Sequence, residues 1–330
     1  MVFKMNDRAV NLLANYDIEV IRVWKGRSAI LCETSQGIKI LKEYSGLETR
    51  LEVQNTLLNQ IKENGYPLVE DIVRNKEGSL ISKDMDQVSY VLKTYFTGKE
   101  CNIKEVAECK MGVRSLAKLH CAMELPEITQ NTDIPVFTIH NEFEKRNKEL
   151  KKVNKYIKEK GKKTEFERYL QQNINYFIEK ALQITEQVSR DDTVDSIEQL
   201  RKKGFICHGD YQHHNLIMEK KEVEIINFEK FAIDNQVRDL YQFMRKILEK
   251  NNWNIYIGLE ILEAYQYEQS LTIEDKRMLY YRFAYPEKFW KIVNFYFNSG
   301  KSFISMKNLE KLEKLLKQDQ LREEFLKKIQ

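Results

Sequence analysis

The sequence predicts an α+β protein of two lobes, a small antiparallel-sheet lobe with one helix followed by a larger, mainly helical lobe. Three observations predict this class. Strand-like runs and one helical run fill residues 1–96, helical periodicity dominates 97–330, and a short β interlude interrupts the helices near 205–228. The length of 330 residues suits two lobes that share a cleft. We therefore expect a small lobe at 1–96 and a larger helical lobe at 97–330.

Three strands, one helix and two further strands are predicted for the small lobe. The predicted strands are Glu19–Trp24, Ser28–Glu33, Gly37–Lys42, Ser79–Lys83 and Val88–Phe96. The predicted helix is Gly46–Asn64, in which leucines and an isoleucine recur at helical spacing before Gly65 and Pro67.

The larger lobe is predicted to be helical around a short β unit. Helices are expected at about Glu105–Cys121, Asn141–Tyr156 and Glu165–Val188, and again from Arg238. Between them, Phe205–His208 is predicted as a strand, and Leu216–Met218 and Val223–Phe228 as a hairpin.

Composition and charge exclude several classes of function. The net charge of +4, from 54 basic and 50 acidic residues, is too balanced to indicate nucleic-acid binding. No apolar run reaches the ~18 residues that span a bilayer, so no membrane association is expected. The 5 cysteines form no CxxC pair, and charged residues stand where a signal peptide would be apolar. We expect synthesis in a reducing cytoplasm.

The loop from His208 to Asn215, with the sequence HGDYQHHN, is the most informative stretch. It places an acid, Asp210, and an amide, Asn215, five residues apart between a strand and a hairpin. The return strand of the hairpin then ends at Asn227. Phosphoryl transfer needs an acid near the attacking hydroxyl and oxygen ligands for magnesium at nearby positions. The pattern therefore predicts a phosphotransfer site.

These residues carry a family resemblance. The loop resembles the HGDxxxxN loop of aminoglycoside phosphotransferases, the counterpart of HRDxxxxN in protein kinases, and Ile225–Phe228 resembles their IDF or IDW hairpin end. Gly204–Asn215, Arg238–Trp253 and Tyr285–Trp290 are similar to the CotS-type spore coat proteins, a kinase-like family of endospore formers. The resemblance extends from about Val20 to Lys317, and it implies the bilobal protein-kinase-like fold.

The resemblance implies roles for the loop residues. Asp210 would orient or deprotonate the substrate hydroxyl, and His208 would support the loop. Asn215 would bind magnesium and the nucleotide phosphates. Asp239, which opens the next helix, would hold the loop backbone from behind.

In the small lobe, the resemblance implies a nucleotide site. Lys42, at the end of the third strand, would reach the α- and β-phosphates of ATP, with Glu52 as its helix partner. Glu48, one turn earlier, is an alternative partner. Thr94, Tyr95 and Phe96 would form the hinge that meets adenine.

Two departures from the family pattern weaken the predicted site. Asn227 replaces the main metal-binding aspartate, which keeps an oxygen and loses the charge, and a metal ion's charge stabilisation amounts to several kcal/mol. Glu229 would point to the same side in an extended segment and could supply the missing carboxylate. The phosphate-covering loop Lys25–Ser28 has a single glycine. Binding of ATP and Mg²⁺ is therefore expected to be weak.

Other conspicuous side chains have structural interpretations. His213 and His214 are adjacent, and adjacent side chains diverge, so they are interpreted as loop structure or a substrate contact rather than a metal site. His120 lies on the apolar face of a predicted helix and is interpreted as a core histidine. Trp253, Trp290 and the run Phe289–Phe297 are interpreted as core of the large lobe, with a substrate-lining role for Trp290 or Lys288 as the alternative.

Two functions from different classes remain open. The first is a spore coat protein with a kinase-like fold, weak or no phosphotransferase activity, and other coat proteins as partners. The second is an active ATP-dependent kinase that phosphorylates a hydroxyl group of a small molecule. A protein kinase is disfavoured because Asn227 is followed almost directly by the Asp239 helix, with no activation segment. An aminoglycoside-resistance enzyme is disfavoured because no acidic substrate-binding tail is present.

Overall fold

The N-terminal part of the chain forms one antiparallel sheet. The structure, a computed structural model, describes residues 7–26, 29–130, 133–298 and 305–330. The strands are β1 (Val20–Gly26), β2 (Ala29–Thr34), β3 (Gly37–Glu43), β4 (Ile72–Val73), β5 (Ser82–Lys83) and β6 (Ser89–Thr94). Their order is β1-β2-β3-β6-β4, and β5 pairs with β6.

The two faces of this sheet have different neighbours. One face packs its apolar side chains, such as Cys32 and Leu92, against the 3-10 helix Asp7–Asn15. On the other face, cross-strand pairing places Lys42 opposite Val91 and Ile40 opposite Lys93. Because alternate residues share a face, Lys42 and Lys93 both lie on the side away from the 3-10 helix.

A single helix, α1 (Glu48–Glu63), connects β3 to β4. It buries Leu51, Leu57, Leu58 and Ile61 in the main core. The helix ends at Asn64, and Gly65 follows with a φ of 91°, a conformation that glycine adopts without steric strain.

The remainder of the chain is mainly helical. Its helices are α2 (Val106–Ala122), α3 (Pro126–Thr129), α4 (Ile139–Glu159), α5 (Glu165–Arg190), α6 (Ile197–Lys203), α7 (Val237–Lys250), α8 (Ile255–Glu268), α9 (Ile273–Ala284), α10 (Glu287–Asn298) and α11 (Ser305–Ile329). Capping boxes at Thr164, Ser196 and Thr272 fix the starts of α5, α6 and α9. No helix within the described ranges is long and apolar enough to cross a membrane.

Short strands interrupt these helices, and two of them flank the loop 208–215, which we call the reactive loop. They are β7 (Lys99–Glu100), β8 (Ile206–Cys207), β9 (Leu216–Glu219), β10 (Glu222–Ile225) and β11 (Ala232–Ile233). The β9–β10 hairpin pairs through β9 with β7, and β8 pairs with β11. The hairpin also touches the small lobe, because Ile225 N–H donates to the Leu68 carbonyl at 2.9 Å.

The predicted strands and helices occur in the predicted order. The predicted strands Ser79–Lys83 and Val88–Phe96 are shorter in the structure, at Ser82–Lys83 and Ser89–Thr94. The short elements β4, β7, β11, α3 and α6 and the 3-10 helix Asp7–Asn15 were not predicted. The predicted lobe boundary at residue 96 stays a prediction; β7, just after it, pairs with the hairpin of the large lobe. Arg27 and Ser28 of the glycine-poor loop lie outside the described residues.

Candidate active site

The loop 208–215 is anchored from behind by a buried carboxylate. Asp239, in the first turn of α7, is 0% exposed and accepts the backbone N–H of His208 at 2.6 Å and that of Gly209 at 3.0 Å. Gly209 has a φ of 79°, and a Cβ there would lie 2.0 Å from the Lys230 carbonyl oxygen. Only glycine fits this position, so the backbone geometry requires the glycine of the HGD sequence.

Asp239 has a lowered pKa in spite of its burial. Burial raises the pKa of this carboxyl, but the nearby His120 imidazole and the hydrogen bond from the Gly209 N–H outweigh it. His120 is fully buried, with Nδ1 2.7 Å from the Tyr265 hydroxyl and Nε2 3.6 Å from the Asp239 carboxylate. This agrees with the interpretation of His120 as a core histidine.

The imidazole of His208 connects the loop to the hairpin end. Its Nε2 lies 3.0 Å from the Ile226 carbonyl, which can only accept, so Nε2 carries the proton. Nδ1 is then free to accept the Asp210 N–H at 3.1 Å. The ring therefore fixes the backbone on which Asp210 is mounted.

The carboxylate of Asp210 is bound by two neighbours. Lys230 Nζ lies 2.8 Å from Oδ2, and Gln212 Nε2 donates to Oδ1 at 2.6 Å. Burial raises the pKa of Asp210, but the hydrogen bond and charge of Lys230 more than offset it, so the pKa is lowered. A substrate hydroxyl at this acid would have to compete with the ammonium group of Lys230.

A chain of hydrogen bonds joins Lys42 to the loop through the two predicted metal ligands. Lys42 Nζ donates to Asn227 Oδ1 at 3.1 Å, Asn227 Nδ2 donates to Asn215 Oδ1 at 2.8 Å, and Asn215 Nδ2 donates to the Asp210 carbonyl at 2.8 Å. The ends fix the direction, because Lys42 can only donate and a carbonyl can only accept. We refer to this set as the amide chain.

The Glu229 carboxylate is bound by a second lysine. Lys93, 2% exposed, contacts Glu229 Oε1 at 2.5 Å and Glu70 Oε1 at 3.2 Å. Burial raises the pKa of Glu229, whereas the charge and hydrogen bond of Lys93 lower it, with a lowered pKa as the result. Glu70 also accepts the Phe228 N–H at 3.1 Å.

The prediction for Glu229 assumed an extended segment after the hairpin, and this was wrong. Asn227 has a φ of 66°, and Phe228–Lys230 forms a 3-10 turn. Asparagine tolerates this left-handed conformation better than most residues. The turn places Asn227 against Asn215 and directs Glu229 to Lys93 of the sheet.

The expected Lys42–Glu52 pair is not formed. Both carboxylate oxygens of Glu52 bind Arg74, at 2.8 and 2.7 Å, because a guanidinium group matches a carboxylate with two parallel bonds. The alternative partner, Glu48, accepts the Ser79 hydroxyl at 2.9 Å. Lys42 is therefore oriented by Asn227 instead of by helix α1.

Two of the three backbone N–H groups of the predicted hinge are already hydrogen-bonded to other residues of the small lobe. The N–H of Thr94 donates to the Asp71 carbonyl at 3.0 Å, and that of Tyr95 donates to the Ile38 carbonyl at 2.9 Å. Among the described residues, Phe96 N–H has no hydrogen-bond partner. Of the three hinge residues, Phe96 is thus the one whose backbone donor is available to a base.

The donor set fits a dication poorly. In the described part of the chain, no cluster of three or more histidine, cysteine, aspartate or glutamate side chains could hold a metal. Asn227 directs its oxygen to a lysine and its NH₂ to Asn215, and Glu229 is paired with Lys93. Magnesium prefers oxygen ligands, carboxylates above all, and in this arrangement a cation would compete with Lys42 for the Asn227 oxygen and with Lys93 for the Glu229 carboxylate.

Three residues of the site were not predicted from the sequence: Lys93, Glu70 and Lys230. Lys93 could have been found, because it stands in phase with Val91 in an otherwise apolar strand. Glu70 and Lys230 lie in irregular segments, where no periodicity indicates the direction of a side chain.

The chain has the fold of aminoglycoside phosphotransferases and related kinases. A crystal structure of an aminoglycoside phosphotransferase from Alicyclobacillus acidocaldarius superposes with a TM-score of 0.83 at 18% identity, over 96% of this chain and 93% of the other. Within this class, a family model described as "Spore coat putative kinase YutH" matches residues 9–329. The chain belongs to this spore coat kinase family, which confirms the CotS-type resemblance.

Two ligand-bound kinases have the same fold. Spectinomycin phosphotransferase APH(9)-Ia, in complex with ADP and spectinomycin, has a TM-score of 0.67 at 14% identity, over 94% of this chain and 97% of the other. Amicoumacin kinase hAmiN, in complex with AMP-PNP, Ca²⁺ and Ami, has a TM-score of 0.59 at 11% identity, over 98% of this chain and 94% of the other. These similarities confirm the bilobal kinase-like fold.

Proposed function

We propose that the protein is a component of the spore coat whose kinase-like cleft binds ATP weakly and has little or no phosphotransferase activity. The amide chain is the observation that carries this proposal. It supports an inactive cleft because the positions that would bind a metal, Asn215 and Asn227, are bound to each other and to Lys42.

The energetics support the same conclusion. To present its oxygen to a cation beside Asn215, Asn227 would have to rotate its amide and give up two hydrogen bonds, each contributing about 1 kcal/mol. The rotated amide would also turn its NH₂ towards the Lys42 ammonium. An aspartate at this position would instead add a negative charge between Lys42 and the cation.

Titration of nucleotide with and without magnesium tests the proposal. Thermal shift or calorimetry with ATP is expected to show weak binding that changes little when Mg²⁺ is added. Asn227→Asp is expected to restore magnesium dependence and to tighten binding about tenfold or more, since a metal's charge stabilisation amounts to several kcal/mol. Asn141→Asp, which adds the same charge at an exposed position of helix α4, is the matched control for charge alone. Tight, strictly magnesium-dependent binding by the unaltered protein would reject the proposal.

Assembly into the coat is tested separately in cells. A fluorescent fusion is expected to be absent from vegetative cells and to surround the developing spore. A uniform cytoplasmic signal during growth would contradict a coat function and favour a metabolic kinase.

The second candidate function is a working small-molecule kinase. The observation that favours it is the intact loop, in which Asp210 stays ionised on a backbone fixed by His208 and Asp239. Phosphate transfer from radiolabelled ATP to hydroxyl compounds, with Asp210→Asn as the control, distinguishes the two. Transfer that depends on Asp210 would replace the first proposal.

A further inference from the structure

A cavity of about 240 Å³ lies in the large lobe between the side chains of α5, α7, α10 and α11 and the α9–α10 connection. Aromatic rings form much of its wall, among them Tyr241, Trp253 and Phe289. None of the lining residues belongs to the reactive loop, the hairpin or the sheet. A cavity lined by aromatic rings with a few polar groups is typical of a site for a small organic ligand.

The charged part of the wall is predominantly positive. Six cationic and three anionic side chains line the cavity. Each anion is already paired: Glu249 with Lys288 at 3.1 Å, Glu287 with Lys291 at 2.5 Å, and Asp319 with Arg322 at 2.9 Å. Within the described ranges, no ion pair is found for the lining residues Lys250 and Lys314. The wall therefore has positive charge in excess of its anions.

One buried cation in the wall also lacks a hydrogen-bond partner. Arg245 is 4% exposed and bonds Glu249, yet its Nε has no partner among the described residues. Buried N–H groups are nearly always satisfied by protein, water or ligand. An acceptor atom in the cavity would satisfy this donor.

The lowered pKa of a neighbouring lysine is consistent with a positive electrostatic potential at this end of the cavity. Burial, followed by the charge of Arg245, lowers the pKa of Lys246 to about 8. Lys246 follows Arg245 on α7 and does not line the cavity. An anion bound near Arg245 would reduce the repulsion between these two cations.

We propose that this cavity binds a small amphipathic anion, with an aromatic or other apolar body between the rings and a carboxylate or phosphate group near Arg245 and Lys314. The excess of positive charge excludes a cationic ligand, because a cation would be desolvated beside like charges. The inference does not depend on the proposed inactivity of the nucleotide cleft, since the two sites share no residue.

Fluorescence of anilinonaphthalene sulfonate, an aromatic anion, measures this binding in the full chain without nucleotide. Saturable binding is expected, with much weaker binding of phenyl-naphthylamine, which has a similar body and no sulfonate. Phenyl phosphate and benzoate are expected to displace the probe, whereas phenyltrimethylammonium is not. Equal binding of the neutral probe, or equal displacement by the cation, would overturn the proposal.

Variants on helix α11 locate the binding. Lys314→Glu reverses an exposed charge of the wall and is expected to weaken probe binding about tenfold. Leu315→Trp, which fills the cavity, is expected to abolish it. Lys317→Glu changes the same charge on an exposed position outside the wall and is the matched control, with a change below about twofold. Unfolding curves show that each variant is folded.

Two further outcomes are decisive. If Lys317→Glu weakens binding as much as Lys314→Glu does, the probe responds to overall charge and the cavity site is wrong. Asp210→Asn is expected to bind the probe like the unaltered chain, which separates this test from the test of the nucleotide cleft. Tight magnesium-dependent ATP binding together with probe binding in the cavity would reject the proposed function and leave this inference standing.

Discussion

The groups behind the loop at 208–215 and those in front of it, at the hairpin end 226–230, differ in charge. Behind the loop, Asp239 is fully buried and accepts two backbone N–H groups. In front, the side chains in contact are two uncharged amides, Asn215 and Asn227. We expect the buried charge behind the loop to support the fold, and the side chain at position 227 to affect metal binding with little effect on stability.

The largest effect is expected from removing the charge behind the loop. Asp239→Asn weakens two charge-assisted hydrogen bonds in a buried site, so we expect a loss of about 3–5 kcal/mol in the free energy of unfolding. Urea denaturation measures it. Asn227→Asp, which is close in shape and lies at the front, is the matched comparison, with a change within about 1 kcal/mol. Similar losses in both variants would remove the distinction between the two sides.

A smaller effect is expected at the buried lysine of the sheet. Lys93→Met leaves the buried Glu70 without its cation, and we expect a loss of about 3 kcal/mol in the free energy of unfolding. Adding Glu70→Gln is expected to recover more than half of this loss, because the uncompensated charge is then gone. Thermal and urea unfolding of the two single variants and the double variant measure the coupling. Additive losses would show that Lys93 acts by packing alone.

Glu229→Gln addresses whether that carboxylate contributes to cation binding. Because Glu229 is 39% exposed and bound to Lys93, we expect a loss of at most about 1 kcal/mol in stability and no change in magnesium binding. Calorimetry with MgATP, compared with Asn227→Asp, measures the latter. Loss of residual magnesium binding in Glu229→Gln would show that Glu229 replaces the missing aspartate and that Lys93 releases it.

The smallest effect on stability is expected from the titration of Glu224 in the β9–β10 hairpin. Burial and the neighbouring Glu219 and Glu222 raise the pKa of Glu224 from 4.5 to about 7. Since the folded-state pKa is above that of the unfolded state, stability falls as pH rises from about 4.5 to about 7 and is constant above this range.

Glu224→Gln removes this charge, and solvent screening limits its effect. We expect stabilisation of about 0.5 kcal/mol at pH 8, and none at pH 4. Glu310→Gln, at an exposed position of helix α11, is the control for loss of a charge. A pH-independent effect of Glu224→Gln would show that Glu224 does not titrate in this range.

The parts of the site that could be predicted are those set by local sequence. The spacing of His208, Asp210 and Asn215 between a strand and a hairpin defines the loop, whose geometry is determined by its own hydrogen bonds. Periodicity predicted the α+β class, whereas the bilobal kinase-like fold and the role of Asp239 were implied by the family resemblance.

The parts that could not be predicted are contacts between distant segments. Glu52 was expected to reach Lys42, but Arg74, from the irregular stretch after β4, competes for it with a better geometry. The direction of Glu229 depends on the left-handed backbone at Asn227, which alternation along a strand does not indicate. The cavity between α5, α7, α10 and α11 results from the packing of helices far apart in the chain.

The left-handed backbone at Asn227 has a genetic consequence. Asparagine and aspartate are the side chains, besides glycine, that accept this conformation most readily, so exchange between them leaves the turn unstrained. Their codons differ only in the first base. A single transition therefore exchanges the amide at this position for a carboxylate without straining the turn. Lineages that carry this protein can lose or regain the charge in one mutational step.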